Sequence, residues 1–439
     1  MIVKPDEVMS ILRKRMLIDG FDIVIDMDNS QGSYLVDARN GRKYLDFYTF
    51  IASSALGMNH PKLDNDEFKE KIFKAAINKV ANADIYSTYM AEFVSVFSQV
   101  AMPEYLPHLF LISGGTLAVE NALKVAFDWK VRKNFAKGLK EEKGYKVIHF
   151  KEAFHGRSGY TLSLTNTQDP RKYMYFPKFN WPRVLNPKIV FPLEEHLEEV
   201  KKAEKRSLFQ IKEAIREDSD GIAAIILEPI QGEGGDNFFR KEFFQEIRKI
   251  CDENEILLIF DEVQSGVGIT GKMWAHQHYN VKPDIMAFGK KTQVCGILAS
   301  KRIDEVEDNC FQESSRINST WGGNIVDMVR AAKIFEVIKE DNLVENARMQ
   351  GELLLKTLYD IQKDFPNLVS NVRGLGLMCS FDLPDSNKRD DFRKKCLDEN
   401  MLVLACGAKS IRFRPILCIA AEQIKEANKR IRVVLKKMS

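Results

Sequence analysis

No part of this 439-residue chain approaches the roughly 20 uninterrupted apolar residues that a membrane-spanning helix needs. The N-terminal MIVKPDEVMSILRKRMLIDGFD also lacks the apolar core of a signal peptide. Both absences lead to the expectation of a cytoplasmic protein that does not enter a membrane. Cysteine is sparse: seven residues, at 251, 295, 310, 379, 396, 406 and 418, with no CxxC pair and mostly in apolar context. Such usage argues for small buried thiols and against a disulfide framework or a metal site, so no metal is expected. An excess of one charge is missing too. The 65 basic and 62 acidic residues are interspersed and leave a formal charge of +3, so no long-range field draws in nucleic acid. Neither an internal repeat nor a basic helix-turn-helix extension is apparent. What is present, at 45% apolar and 29% charged residues, is a globular chain large enough for two domains, or for one large α/β unit with an appendage.

Between about residues 105 and 300, short β-rich runs alternate with helical patterns. HLFLIS is followed by a helix from about Leu117 to Arg132, then KVIHF; GIAAIILEP by a helix over Lys241 to Asn254; then come ILLIFDE and DIMAFG. This alternation predicts an α/β fold with a mainly parallel sheet covered on both faces and ligands beyond the carboxyl ends of its strands. Three runs, IILEP, LIFDE and MAFGK, would deliver Glu228, Asp261 and Lys290 to one crevice. SYLVDARNGRKYLDFYT reads as a hairpin turning at Asn40 and Gly41. After about Val326 come a long amphipathic helix, VRGLGLMCSFDL as a strand, and short α and β pieces. The expected organisation is a large domain over 61–325 and a smaller α+β domain built from 1–60 and 326–439.

A lysine at a strand end in a desolvated site has a lowered pKa and becomes nucleophilic enough to form an imine, which is the chemistry open to Lys290. A solvated loop lysine is an equal alternative from the segment alone, and Lys291 is the competing candidate; Lys290 is preferred because it directly follows the glycine. Asp261, behind LLIF, would be costly to bury unless paired, and a pyridinium nitrogen would pair it. A helix N-cap or a metal ligand is the other reading. Together these are the two groups that a pyridoxal phosphate enzyme requires. Val263 could pack beneath such a ring and Gln264 could hydrogen-bond its phenolic oxygen. The SGGT turn before a helix offers free backbone N–H groups, with Gly115 and Thr116 placed to hold a phosphate, although glycine-rich turns of this kind are common. It lacks the ending of a nucleotide-triphosphate loop. Phe154 could stack on the ring beside His155, the plain alternative being a core phenylalanine next to a surface histidine.

The chain resembles the class III (ω-amino acid) aminotransferases, pyridoxal phosphate enzymes of fold type I, over nearly its whole length. YLDFYTFIASSALGMNHP, LEPIQGEGGD, DEVQSGVG, PDIMAFGKK, NSTWGGN and RFRP carry the resemblance. SGGTLAVENALKVAFDWK, FHGRSGYTLSLTNT, AFGKKTQVCG, RINSTWGGN and VRGLGLMCSF place it in the branch acting on L-lysine and 2-oxoglutarate. The resemblance implies pyridoxal 5'-phosphate on Lys290, with Asp261 at the pyridine nitrogen, Gly115 and Thr116 on the phosphate, and Phe154 over the ring. Thr320, with Ser319 beside it, would reach the phosphate of the neighbouring subunit's cofactor, which implies a homodimer with shared sites. The SGGT form departs from the usual family pattern of a single glycine there.

Arg157 and Arg412 resemble the two carboxylate clamps of this branch, a task suited to the planar guanidinium. Arg157 would take the α-carboxylate of L-lysine, and Arg412 that of L-glutamate or 2-oxoglutarate. Glu233, in QGEGG, resembles an acidic switch that pairs Arg412 while lysine is bound and swings away for the dicarboxylate. Arg414, two residues from Arg412, is expected to point to the opposite face if the segment is a strand. The implied reaction gives 2-aminoadipate 6-semialdehyde and L-glutamate. Rival readings are another ω-aminotransferase acting on ornithine, acetylornithine or 4-aminobutyrate, an aminomutase of the same fold, and a non-enzymatic cofactor-sensing regulator.

Overall fold

The computed structural model describes residues 3–439. Its strands, in chain order, are β1 (Tyr34–Val36), β2 (Lys43–Asp46), β3 (His108–Ile112), β4 (Lys146–Phe150), β5 (Arg183–Val184), β6 (Ile222–Leu227), β7 (Leu257–Asp261), β8 (Ile285–Phe288), β9 (Cys295–Ala299), β10 (Ser370–Leu375), β11 (Met378–Asp382), β12 (Met401–Leu402), β13 (Leu404–Cys406) and β14 (Ser410–Phe413). Seven of them form the central sheet in the order β3-β9-β8-β7-β6-β4-β5. All neighbours from β8 to β5 pair in parallel, whereas β9 runs antiparallel to both β8 and β3. The sheet is therefore mixed and mainly parallel, as the alternation of strands and helices predicts.

Strand alternation explains why both faces are covered. In β7, Leu257 and Ile259 enter one core with Ala118, Ala122 and Ala126 of the helix Gly115–Ala136. Leu258 and Phe260 enter the opposite core with Phe243, Phe244 and Ile247 of the helix Lys241–Glu253. Successive side chains point to opposite faces, so a continuous apolar run is what a doubly covered strand requires. The helix Gly115–Ala136 is longer at both ends than its apolar periodicity predicts, because its start is set by backbone geometry at Gly114.

An N-terminal hairpin and a C-terminal strand meet in a three-stranded sheet, β1-β2-β12, in which Met401 pairs with Leu45. The hairpin is present, but its connection spans Asp37 to Arg42, because β1 ends at Val36 paired with Lys43. Side chains hold that longer loop: the Asp37 carboxylate accepts from the Arg39 N–H at 3.0 Å and Asn40 Oδ1 from the Arg42 N–H at 2.9 Å. VRGLGLMCSFDL is likewise two strands. It turns at Gly376, whose φ of +53° favours glycine. A four-stranded sheet, β10-β11-β14-β13, presents Arg412 on its third strand. All seven cysteines are free and six are buried. Among the described residues no helix is long and apolar enough to cross a membrane.

Candidate active site

The parallel strands open on one edge, and that edge carries a cavity of about 410 Å³. Its walls are the residues that follow each strand: Gly114 to Thr116 after β3, Phe154 and His155 after β4, Glu228 and Glu233 after β6, Asp261, Val263 and Gln264 at β7, and Lys290 and Gln293 after β8. Cys295 joins them because antiparallel β9 begins where its neighbours end. Glu228, Asp261 and Lys290 thus share one crevice.

Lys290 lies just beyond the extended Gly289 with φ +53°. Burial, with Arg412 close by, pulls its pKa down from 10.5 to about 8, despite the opposing pull of Asp261, Glu228 and Glu233. Lys291 is turned out of the cavity. Its Nζ donates to the backbone oxygens of Ala52 at 3.1 Å and Gln264 at 3.0 Å, which makes it a buried strut. The turn it braces, Thr49 to Ala52, has four consecutive positive φ values of 45° to 62°, a conformation costly for β-branched residues such as Thr49 and Ile51.

Asp261 is 6% exposed, and its Oδ2 lies 2.8 Å from His155 Nδ1 while its Oδ1 accepts from the Val263 N–H at 3.1 Å. His155 is therefore a buried partner of Asp261 and not a surface residue. Its Nε2 is buried without a hydrogen-bond partner among the described residues. Glu228 accepts from the Phe154 N–H at 3.1 Å and the Gly232 N–H at 3.0 Å. Burial pushes its pKa up to about 7, with Asp261 adding to the rise and His155 opposing it.

Gly114 caps the helix Gly115–Ala136 with φ +102° and ψ 133°, and no side chain caps it. Gly114, Gly115 and Thr116 line the cavity, so the uncapped helix start stands at its wall, a place suited to an anion. Gly115 packs so closely on Val263 that an added Cβ would stand 2.8 Å from Val263 Cγ1.

Arg412 is 3% exposed. Its Nη2 donates to Glu233 Oε2 at 2.7 Å, its Nη1 reaches Gln264 Oε1 at 3.5 Å, and its Nε is buried without a partner. Burial pushes the Glu233 pKa up, but Arg412 and Lys172 outweigh it and hold the carboxyl below its usual value. Arg414 does not face away. It lies one residue past the end of β14, where Arg414 Nη2 reaches Gln264 Oε1 at 3.3 Å, the same oxygen that Arg412 approaches, and pairs with buried Asp236. Arg157, Arg412, Ser319 and Thr320 are not among the residues that line the cavity, although Arg412 touches Glu233 and Gln264, which do. Arg157 is exposed with its guanidinium 5.8 Å from the Phe154 ring centroid, and Ser319 Oγ accepts from the Gly322 N–H at 3.1 Å in the turn that carries Thr320.

The family model for class III aminotransferases matches residues 19–435. The chain belongs to the class III aminotransferases. A relative described as L-lysine-epsilon aminotransferase, from Mycobacterium tuberculosis, is 51% identical over 98% of this chain and 96% of its own length. Another of that description, from Streptomyces clavuligerus, is 47% identical over 95% and 91%. The solved structure of lysine aminotransferase from M. tuberculosis in the internal aldimine form superposes with a TM-score of 0.98 at 50% identity, covering all of both chains. Class III aminotransferases depend on pyridoxal 5'-phosphate, and the residues here fit it. The uncapped helix start suits its phosphate, Asp261 its ring nitrogen, and Lys290 its aldehyde. The cavity volume lies within the range of small-ligand sites.

Four contributors escaped the sequence reading. Gly114, and not only Gly115, shapes the helix start; Gln293 and Cys295 complete the wall; Lys172 pairs with Glu233. The doubled glycine was a usable signal for the first. Nothing in the local pattern marks Lys172, which sits 61 residues from its partner.

Proposed function

We propose that this aminotransferase moves the ε-amino group of L-lysine to 2-oxoglutarate, giving 2-aminoadipate 6-semialdehyde and L-glutamate. The semialdehyde would then close on its own α-amine to piperideine-6-carboxylate. The observation that carries the reading is the 2.7 Å ion pair between buried Arg412 and Glu233, the latter lining the same cavity as Lys290. A cation with a displaceable acidic partner serves two substrates of different charge in one site. Relatives described as L-lysine-epsilon aminotransferases support it.

Bound pyridoxal 5'-phosphate supplies an aldehyde that takes up the amino group and a ring that withdraws electrons from the carbon beside it. Lys290, with a pKa drawn toward neutrality, is suited to taking a proton at Nζ from the ε-carbon of lysine and returning one. Asp261 would hold the ring-nitrogen proton, and His155 fixes the Asp261 rotamer through the 2.8 Å contact. Val263 would pack below the ring and Phe154 above it, and Gln264 would reach its phenolic oxygen; all three line the cavity. Gly115 and Thr116, on the same cavity wall, would donate to the phosphate.

While lysine is bound, Glu233 neutralises Arg412, since an unpaired buried guanidinium is expensive. When the dicarboxylate enters, its α-carboxylate replaces Glu233. Arg157 would bind the α-carboxylate of lysine. We further propose a cytoplasmic homodimer in which Thr320, with Ser319, completes the partner's phosphate site. In support, Ile85 and Tyr86 are 74% and 76% exposed near the Trp321 turn, which Asn82 holds through a 2.9 Å hydrogen bond to the Trp321 carbonyl.

Offering lysine, ornithine, acetylornithine and 4-aminobutyrate separately, while following cofactor absorbance, tests the substrate. Lysine should convert the cofactor with the highest efficiency; a preference for ornithine or 4-aminobutyrate refutes the assignment.

A further inference from the structure

The Glu233 carboxylate is held at both oxygens. Oε2 accepts from Arg412, and Oε1 accepts from Lys172 Nζ in a short contact. Lys172 ends the 3-10 turn Pro170–Lys172, fastened by Asp169, whose Oδ1 accepts the Arg171 N–H at 3.2 Å. Its side chain is 16% exposed and that of Glu233 is 23% exposed, so the ion pair is largely screened from water. The Glu233 backbone is fixed as well. Its carbonyl accepts from the Gly407 N–H at 2.9 Å, and Gln231 and Asn237 bridge across the base of its loop. Any movement of Glu233 is therefore a rotation of its side chain between two cations already in place.

From this geometry we propose that Lys172 is a positioning residue that receives the Glu233 carboxylate when a dicarboxylate takes Arg412, and so sets the affinity for 2-oxoglutarate and glutamate against that for lysine. The proposal rests on the gating role of Glu233 given above. With Arg412 and Lys172 both engaged, Glu233 has two partners. After displacement it retains one. If Lys172 loses its charge, the engaged state keeps the Arg412 pair while the displaced state leaves a carboxylate alone in a mostly buried position. Opening then becomes harder. The penalty falls on dicarboxylate binding and spares lysine, which never requires Glu233 to leave Arg412.

The test uses the holoenzyme and glutarate, an unreactive dicarboxylate, with its dissociation constant measured by calorimetry. The lysine half-reaction is followed in parallel by single-turnover cofactor absorbance. Lys172→Met should weaken glutarate and raise the KM for 2-oxoglutarate by about tenfold, while the lysine constants stay within about twofold. Lys172→Arg should restore binding, and Lys172→Gln should repeat the methionine result should that variant fold poorly. In a Glu233→Gln background, Lys172→Met should lose its effect, because no carboxylate remains to be received. The proposal is overturned if Lys172→Met leaves glutarate unchanged or weakens lysine equally. It is also overturned if the variant still weakens glutarate about tenfold in the Glu233→Gln background, since Lys172 would then bind the ligand directly. Failure of Glu233→Gln alone to favour glutarate over lysine would instead remove the gate itself, whatever Lys172 does.

Discussion

Replacing Gly115 with alanine sets two effects against each other at one atom. Gly115, unlike Gly114, does not lie in the left-handed region, so the backbone accepts alanine, and helix propensity favours it by up to about 1 kcal/mol. The new Cβ, however, would lie 2.8 Å from Val263 Cγ1 and 3.3 Å from Val263 Cγ2, against an ordinary carbon contact of about 3.5–4.0 Å. Retreat toward Gly289 is closed: a methyl group built there meets Val263 Cγ1 at 3.3 Å and Cys295 Sγ at 3.0 Å. Val263 lines the cavity and packs against the core on its other side, so its displacement is directed into the cavity. Overpacking of this kind costs about 1–3 kcal/mol, which outweighs the propensity gain. Because the displacement enters the cofactor's space, the loss appears in binding, as a roughly 5- to 150-fold weaker affinity for pyridoxal 5'-phosphate. Absorbance titration of the cofactor-free protein measures that affinity, and a melting curve of the same protein reports the fold. Weaker binding with a nearly unchanged melting temperature is expected. Unchanged affinity with a melting temperature lowered by several degrees would refute the reasoning, since the clash would then relax within the core.

Lys290→Ala should fold normally yet lose multiple turnover, as followed by glutamate formation; full activity would move the nucleophile to Lys291. Lys291→Met should lower the melting temperature, by removing the strut to Ala52 and Gln264, while keeping the absorbance of cofactor bound to Lys290. Because the folded pKa of Lys290 is about 8, below its ordinary 10.5, between those values the unfolded chain holds a proton that the folded one has released. The Lys290 contribution to the stability of the cofactor-free protein therefore rises with pH across that window and is flat below it. The rate of cofactor capture should rise with pH to a plateau above about 8, and a flat profile between about pH 7 and pH 9 would contradict the assignment.

The central sheet was legible because β6, β7 and β8 are buried on both faces, leaving unbroken apolar runs that each lead directly to a polar residue. Lys290 and Asp261 were legible for the same reason: each stands where a buried strand meets the cavity. The antiparallel direction of β9 was not, since a buried strand reads the same either way along the chain. The Arg414 expectation failed because β14 ends at Phe413 and Arg414 turns toward Asp236 and the Gln264 oxygen that Arg412 also approaches. The bracing role of Lys291 and the pairing of Lys172 with Glu233 depend on contacts across the fold, which no local pattern encodes. Only the resemblance, not spacing, pointed to Arg157, Glu233, Ser319 and Thr320.

Lysine labelled with nitrogen-15 at the ε position, turned over by the holoenzyme with 2-oxoglutarate, reports which amine leaves. The label should appear in glutamate, and the lysine-derived product should keep only its unlabelled α-nitrogen. Unlabelled glutamate, with the label retained in the lysine-derived product, would contradict the account.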